Sequence, residues 1–352
     1  MIFEGKRILI TGGTGSIGRV LISRLLDGKS GVPEKIVVFS RDEAKQHQMR
    51  MFYKRRKIAT DEIIYHNFDQ LVEFYIGDVR NFDSVVSALK DIDIVFNAAA
   101  LKQVPTCEYF PYEAVMTNII GPQNIVTAIR DYHLPVEVVV GVSTDKACKP
   151  VNVMGMTKAI QERIFIQANL GCPKTRFVCA RYGNVLASRG SVIPLFRSQI
   201  LSGGPVTITT TSMTRFLLSL NKAVDIVFAA VREAKRGETY IPRSLSTRTI
   251  DIADAMIGSR NIQKDIIGIR PGEKSHEILV SEEECFRTII RKEYYVILPI
   301  VPELREESLS ALVTLDKEYS SADSVVTLEE VKTILKENKL MVDDPVFHSD
   351  EI

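Results

Sequence analysis

The chain has 352 residues, 45% of them hydrophobic and 25% charged, the balance of an ordinary globular protein with one large or two smaller domains. That composition excludes a disordered, collagenous or wholly coiled-coil chain. Forty-five Lys and Arg against 44 Asp and Glu leave a net charge of +1, so there is no global field for nucleic acid, and no apolar run reaches the roughly 18–20 residues of a membrane span.

Met1-Ile2-Phe3-Glu4-Gly5-Lys6-Arg7 leads straight into an apolar strand without the layout of a secretory signal, so a cytoplasmic location is expected. Arg7–Thr11 reads as a buried strand, followed by a glycine turn and an amphipathic helix from Ser16 to Leu26. Further strands are expected at Lys35–Ser40, Val72–Ile76, Asp93–Asn97, Val136–Val140 and Thr175–Arg181. Near-continuous β-branched runs mean strands covered on both faces, and their alternation with helical patterns predicts a doubly wound, parallel α/β sheet, a Rossmann fold. The basic stretch 54–69 reads as a surface excursion. Beyond Arg189 the pattern is less regular, with turns at Gly203-Gly204-Pro205 and Arg270-Pro271-Gly272. Near the end, Thr327-Leu328-Glu329-Glu330 matches a capping box that opens a helix towards Lys339. The expected division is a dinucleotide-binding domain over 1–188, to which a segment near 213–242 returns. A smaller α/β substrate-binding region follows over 189–300, then a C-terminal tail over 301–352.

The five cysteines, Cys107, Cys148, Cys172, Cys179 and Cys285, are odd in number and form no C-x-x-C. They suggest neither a disulfide framework nor a zinc site. The five histidines show no metal-binding spacing, so no metal is expected.

Chemistry enters with Thr11-Gly12-Gly13-Thr14-Gly15-Ser16-Ile17-Gly18. Gly12, Gly15 and Gly18 lie between a strand and a helix, where missing Cβ atoms let backbone approach a pyrophosphate and the helix N-terminus offers free N–H groups. Cofactor choice is read at the end of the second strand, Ser40-Arg41-Asp42. A hydroxyl and a guanidinium suit a 2′-phosphate, which favours NADP over NAD, although Arg41 and Asp42 also make an ordinary solvated pair. Gly77-Asp78-Val79 and Ala98-Ala99-Ala100 end the third and fourth strands and suit close approach to adenine and ribose. Ser143-Thr144-Asp145-Lys146 ends the fifth, before a helix start at Asn152-Val153-Met154-Gly155-Met156-Thr157-Lys158. The carboxyl ends of the strands are where such folds hold ligands, so Asp145 and Lys146 read as an acid and a base rather than a surface ion pair.

The glycine motif, Asp78 and the strand-end Ser143-Thr144 resemble the extended short-chain dehydrogenase/reductases. Ala98-Ala99-Ala100-Leu101-Lys102-Gln103-Val104-Pro105 and Ser143-Thr144-Asp145-Lys146-Ala147 are similar, within them, to UDP-N-acetylglucosamine 4,6-dehydratases of bacterial surface-sugar biosynthesis. Arg181-Tyr182-Gly183-Asn184-Val185, Ser188–Pro194, Met213-Thr214-Arg215-Phe216 and Gly268–Lys274 extend the likeness, which covers roughly residues 5–280. The resemblance implies that Thr14, Gly15, Ser16, Ile17, Ser40, Arg41, Asp42, Lys45, Asp78, Val79, Ala98 to Ala100, Lys102 and Tyr182 contact a tightly held, recycled NADP. Lys158 matches the lysine of the Tyr-x-x-x-Lys motif and would hold the nicotinamide ribose. Thr144, Asn184, Val185, Arg189, Thr209, Arg215, Arg270 and Glu273 would contact the UDP-sugar, two arginine forks suiting a diphosphate.

Met154 replaces the motif tyrosine, and Asn97 stands where many relatives have histidine. The implied chemistry is an internal redox cycle. C4 of the sugar is oxidised, Lys146 removes the acidified C5 proton, Asp145 protonates the departing 6-hydroxyl, and C6 is reduced. For this Asp145 must be partly protonated and Lys146 partly neutral, which calls for a partly desolvated site. The C4-hydroxyl base is either Asp145 or Thr144 relaying to another group. Inversion at C5, giving an L-arabino 4-keto product, is expected from the motifs flanking the centre. The alternatives are a C5-retaining dehydratase, a 4-epimerase and a non-catalytic NADP-sensing module. A homo-oligomer, dimer-based or hexameric, is expected.

Overall fold

A computed structural model describes residues 1–55, 68–186, 191–306 and 313–344. Its strands in chain order are β1 (Arg7–Thr11), β2 (Lys35–Ser40), β3 (Val72–Ile76), β4 (Ile94–Asn97), β5 (Val138–Thr144) and β6 (Arg176–Tyr182). They continue with β7 (Val206–Ile208), β8 (Thr214–Phe216), β9 (Thr239–Pro242), β10 (Ser246–Arg248) and β11 (Lys264–Ile266). The last are β12 (Ile278–Val280), β13 (Thr288–Arg291), β14 (Tyr294–Ile297) and β15 (Tyr319–Ser320). The main sheet runs β13-β14-β9-β6-β5-β4-β1-β2-β3. From β9 to β3 every pairing is parallel, and the β13–β14 hairpin adds to β9 antiparallel. The chain direction across the sheet reverses between β1 and β4, the place where a doubly wound sheet opens a crevice for ligand.

Alternation along the strands builds two apolar layers. Ile8, Ile10, Val38, Phe96 and Val140 face one side, where Val224, Val227 and Phe228 of the helix Leu220–Glu233 cover them. Leu9, Val37, Val95 and Val139 face the other, against Ile125 and Ile129 of the helix Gly121–Asp131 and Phe165 of the helix Val153–Gly171. The strand Val138–Thr144 begins and ends later than the apolar run 136–140 suggests, so its last residues reach into the crevice.

The second half has its own core. Ile193, Phe196, Val206, Ile208, Ile252 and Met256 pack with Val331 and Leu335 of the helix Leu328–Glu337, whose Thr327–Glu330 capping box is formed as expected. This corrects the reading of residues after 301 as a tail. That helix belongs to the core, and β15 pairs with β12. Likewise β13 and β14, placed above within the substrate-binding region, extend the main sheet.

The two halves are joined by a buried charge network. The Arg181 guanidinium at the end of β6 donates to Glu162 Oε2 at 2.6 Å and to Glu284 Oε2 at 2.7 Å. All three side chains are at least nine-tenths buried. Burial opposes ionisation of Glu284, but the adjoining Arg181 outweighs it and holds the carboxyl down to about 2. A carboxylate with a depressed folded pKa contributes stability that is present above its unfolded pKa and lost as pH falls through the folded one. Urea unfolding should therefore show stability declining from about pH 4.5 towards about pH 2. Glu284→Gln should flatten that acid limb and cost about 3 kcal/mol at neutral pH, because Arg181 loses a buried counter-charge. An unchanged acid limb in the variant would remove the network from the stability account.

Candidate active site

The glycine turn after β1 takes the shape the sequence predicts. Gly12 has φ +66°, and a Cβ there would meet the backbone of Ala99 at 2.8 Å, so only glycine lets this turn lie against the end of β4. The helix Ser16–Leu26 starts from Gly15, which has no side chain to cap it, leaving first-turn N–H groups for an anion. Together they form one wall of a cavity of about 590 Å³. Every residue assigned above to the dinucleotide lines it, from Gly12 and Gly18 through Ser40, Arg41, Lys45 and Asp78 to Ala98–Ala100, Lys102, Lys158 and Tyr182. The residues present fit such a group: the first turn of the helix Ser16–Leu26 lacks a side-chain cap, and the buried Thr117 Oγ1 lining the same cavity has no partner among the described residues.

At the far wall, Asp42 is engaged by Lys45 at 2.7 Å. Arg41 is half exposed, with its nearest anion, Asp78, 3.7 Å away. Asp78 itself is gripped by Arg80 at 2.7 Å.

A second cavity, of about 260 Å³, lies on the side of the C-terminal half. Asn184, Val185, Thr209, Arg215, Arg270 and Glu273 line it, whereas Thr144 lines the first cavity. Arg189 lies outside the described residues, as does most of the 54–69 excursion. The loop carrying Arg270 and Glu273 is pinned to the start of the helix Val153–Gly171. Asn152 Nδ2 donates to Gly272 O at 2.8 Å, and Lys274 Nζ donates to Cys148 O at 2.6 Å. Buried polar atoms with no partner among the described residues gather here: Asn184 Oδ1, Ser191 Oγ, Glu273 Oε2 and Glu277 Oε2. Buried polar groups are normally satisfied, so this cluster marks a place for a polar ligand.

Lys146 lines both cavities. Asp145 is fully buried beneath it. Asp145 Oδ1 accepts from Thr144 Oγ1 at 2.8 Å and from Lys146 Nζ at 3.1 Å, while Oδ2 has no partner among the described residues. Met154, 6% exposed, lines the first cavity and packs with Cys107 and Ala114.

The profile of the polysaccharide biosynthesis protein family matches residues 8–299. The chain belongs to that family. It is 42% identical over 345 residues to a protein of Rickettsia bellii named UDP-glucose 4-epimerase, covering 95% of this chain and 96% of that one. It is 40% identical over 310 residues, 87% of each chain, to the UDP-N-acetylglucosamine 4,6-dehydratase (inverting) of Campylobacter jejuni. The crystal structure of Pen from Bacillus thuringiensis superposes with a TM-score of 0.84 at 35% identity, covering 96% of this chain and 99% of that one. The architecture is the Rossmann fold of the extended short-chain dehydrogenase/reductases.

In this member of the polysaccharide biosynthesis protein family, the structure adds residues that sequence reading passed over. Asn118 holds the loop after β4 to the helix Val153–Gly171. Its amide donates to Leu101 O at 2.9 Å and Thr157 Oγ1 at 3.0 Å, and its carbonyl accepts from Leu101 N–H at 2.8 Å. It sits in a π-helical turn, Met116–Ile120, within an otherwise α-helical run. An asparagine inside a helical pattern was a readable signal. Glu277 offered none: its Oε1 accepts from Lys146 Nζ at 3.4 Å, across 131 residues of sequence.

Glu277 overturns one expectation. Burial alone would lower the Lys146 pKa, but the Asp145 and Glu277 carboxylates outweigh it and raise the amine above its ordinary value. Lys146 of the ligand-free protein is therefore an ammonium, not a partly neutral amine.

Lys158 shows the opposite balance. Its amine donates to Gln161 Oε1 at 2.7 Å, with no carboxylate in hydrogen-bond reach among the described residues, and burial pushes it down to about 8. A lysine with a depressed folded pKa penalises folding below that value, and the penalty is relieved as pH climbs towards the unfolded pKa. Without dinucleotide, Lys158→Met should be more stable than the parent at pH 7, by about 1–3 kcal/mol, with the gap closing above pH 8. Thermal unfolding at pH 7 and pH 9.5 measures it; a destabilised variant at both would show that the buried amine is not a cost to the fold.

Proposed function

We propose that this chain is an NADP-dependent UDP-N-acetylglucosamine 4,6-dehydratase that inverts C5, yielding an L-arabino 4-keto-6-deoxy sugar nucleotide. Nucleotide-sugar dehydratase or epimerase chemistry is the common ground of its relatives. The observation that supports the dehydratase reading is the Asp145–Lys146 pair at the junction of two cavities, one suited to a dinucleotide and one to a diphosphate sugar. Inversion rests on the likeness of the motifs around Arg181, Gly190 and Arg215 to inverting members. Bound NADP supplies the oxidation at C4 and the matching reduction at C6, so no net reductant is consumed. Gly12, Gly15 and the helix N-terminus hold its pyrophosphate, Lys158 its nicotinamide ribose. Arg41, half exposed at the cavity wall, holds the 2′-phosphate, and Lys45 offsets the charge of Asp42 that would otherwise repel it. Arg215 and Arg270 clamp the substrate diphosphate.

With C4 oxidised, the C5–H bond is acidic. Lys146 takes that proton, the bonding pair forms C5=C6, and the C6–O bond breaks. The hydroxyl leaves as water with the proton of Asp145, whose unpartnered Oδ2 is the atom free to deliver it. Lys146 enters the cycle as an ammonium beside the Asp145 carboxylate, so its proton passes first to Asp145, whose Oδ1 lies 3.1 Å away. That transfer leaves the amine neutral for C5–H and the acid protonated for the leaving hydroxyl. After the ring shifts, its long stem returns a proton to the opposite face of C5. Met154 transfers no proton.

The 4-epimerase reading is favoured by the name of the Rickettsia relatives. Epimerisation needs C4 oxidation but no acid at C6, and an oxygen placed as Asp145 Oδ2 has no task in it.

Incubation with UDP-N-acetylglucosamine in D2O, followed by mass spectrometry and NMR, tests the proposal. Loss of water and deuterium at C5 of an L-configured product are expected, with Lys146→Met eliminating no water while retaining dinucleotide. Product of unchanged mass would establish epimerisation, and a D-xylo ketone as the first species would establish retention.

Arg41→Asp should weaken NADP binding at least tenfold more than NAD binding, since a carboxylate replaces the 2′-phosphate donor. Equal losses in calorimetry would remove the 2′-phosphate assignment.

A further inference from the structure

The acid–base centre holds one carboxylate more than its sequence motif. Glu277 enters it from the residue before β12, 131 positions along the chain from Lys146. Its backbone is fixed at both ends by one residue: the Glu277 N–H donates to Ser321 Oγ at 2.9 Å, and the Ser321 N–H donates to Glu277 O at 2.8 Å. Ser321 Oγ in turn lies 2.7 Å from Thr214 Oγ1, beside Arg215. The side chain is 4% exposed. Its Oε1 accepts from Lys146 Nζ at 3.4 Å and stands 3.6 Å from Arg215 Nε, while Oε2 has no partner among the described residues.

We propose that Glu277 is a positioning residue of the acid–base centre, whose carboxylate holds the Lys146 amine at the junction of the two cavities and ties it to Arg215 on the sugar-nucleotide side. The inference rests on the dehydratase reading above.

Two features separate this role from an ion pair that serves the fold alone. Both cations that meet Glu277 line the second cavity, as Glu277 itself does. Glu277 also lines a cavity with an Oε2 that has no partner among the described residues, whereas Glu284, which lines neither cavity, engages both oxygens with Arg181 and Arg287. The geometry also protects the acid. Lys146 and Asp145 are chain neighbours, and an ammonium with a single carboxylate nearby would settle wholly onto it. Glu277 shares the amine, which bridges the two carboxylates, and Asp145 Oδ2, without a partner among the described residues, is left for a substrate hydroxyl.

The charged groups facing Lys146 are Asp145 and Glu277, which raise its pKa, and Arg215 and Lys274, which oppose them. Removing one carboxylate makes the neutral amine available at lower pH. Pulse labelling of the full chain with acetic anhydride across a pH series, read at the Lys146 peptide by mass spectrometry, follows that amine directly. The Lys146 side chain is 23% exposed and lines both cavities, within reach of a small reagent.

In Glu277→Gln the labelling midpoint should fall by about one pH unit. Glu277→Asp keeps the charge on a shorter stem and should fall between the parent and Glu277→Gln. Equal midpoints in the parent and Glu277→Gln overturn the proposal, as does a Glu277→Asp midpoint at or below that of Glu277→Gln. Should Glu277→Gln not fold, Glu277→Asp alone must still label at lower pH than the parent, and a midpoint equal to the parent's overturns the proposal. The labelling needs no turnover, so a parent protein that eliminates no water overturns the dehydratase reading as a separate result.

Discussion

Arg181 is a guanidinium taken almost wholly out of water, with Glu162 on one side and Glu284 on the other. Desolvating such a group is tolerated only where hydrogen bonds and opposite charge replace the lost water. Here they come from three separate parts of the chain. Glu162 belongs to the helix Val153–Gly171, Arg181 to the end of β6, and Glu284 to a capped turn in the second half that also brings Arg287. Ser143, just ahead of Thr144 and Asp145, donates to Glu162 at 2.5 Å. The network thus sits directly behind the acid–base centre, and it fixes at once the strand end, the helix carrying Met154 and Lys158, and the turn that follows β12. A hydrophobic contact of the same size would join the halves but would not set their register, because it is indifferent to a small slide.

The parts of this molecule legible in the sequence are those decided by neighbours along the chain. The strand Arg7–Thr11 and the helix Ser16–Leu26 follow from apolar runs and a glycine turn, and both appear with the expected bounds. The glycine positions are legible because a steric requirement acts within a few residues, although the atom that enforces it at Gly12 belongs to Ala99. Asp145 and Lys146 are legible as chemistry because strand ends are where such folds hold ligands. Their charge state is not, because it depends on Glu277, which no local pattern connects to them. The network around Arg181 is hidden for the same reason. Each member looks like an ordinary surface charge until folding removes the solvent.

The readings that needed correction share a cause. Residues 288–297 and the chain after 301 sit far along the sequence from the units they complete, β9 and the core around Ile252 and Met256. Sequence distance suggested separate regions, whereas burial decides membership. The β13–β14 hairpin reaches the main sheet because β9 leaves an edge open, and an edge of unpaired backbone groups is satisfied by any strand the chain can bring to it.

This arrangement has a consequence for how the two halves cooperate. The dinucleotide cavity is walled by the first half, and the second cavity mainly by the other; Lys146 is shared by both. The lysine's stem belongs to the first half, yet its charge is held in part by Glu277 of the second. A small opening between the halves would lengthen the 3.4 Å contact to Glu277 while leaving the covalently adjacent Asp145 in place. The ammonium would then be held by Asp145 alone. The buried Arg181 network, whose Glu162 also accepts from Ser143 of the same strand end, is the contact that ties the two halves together beside this lysine.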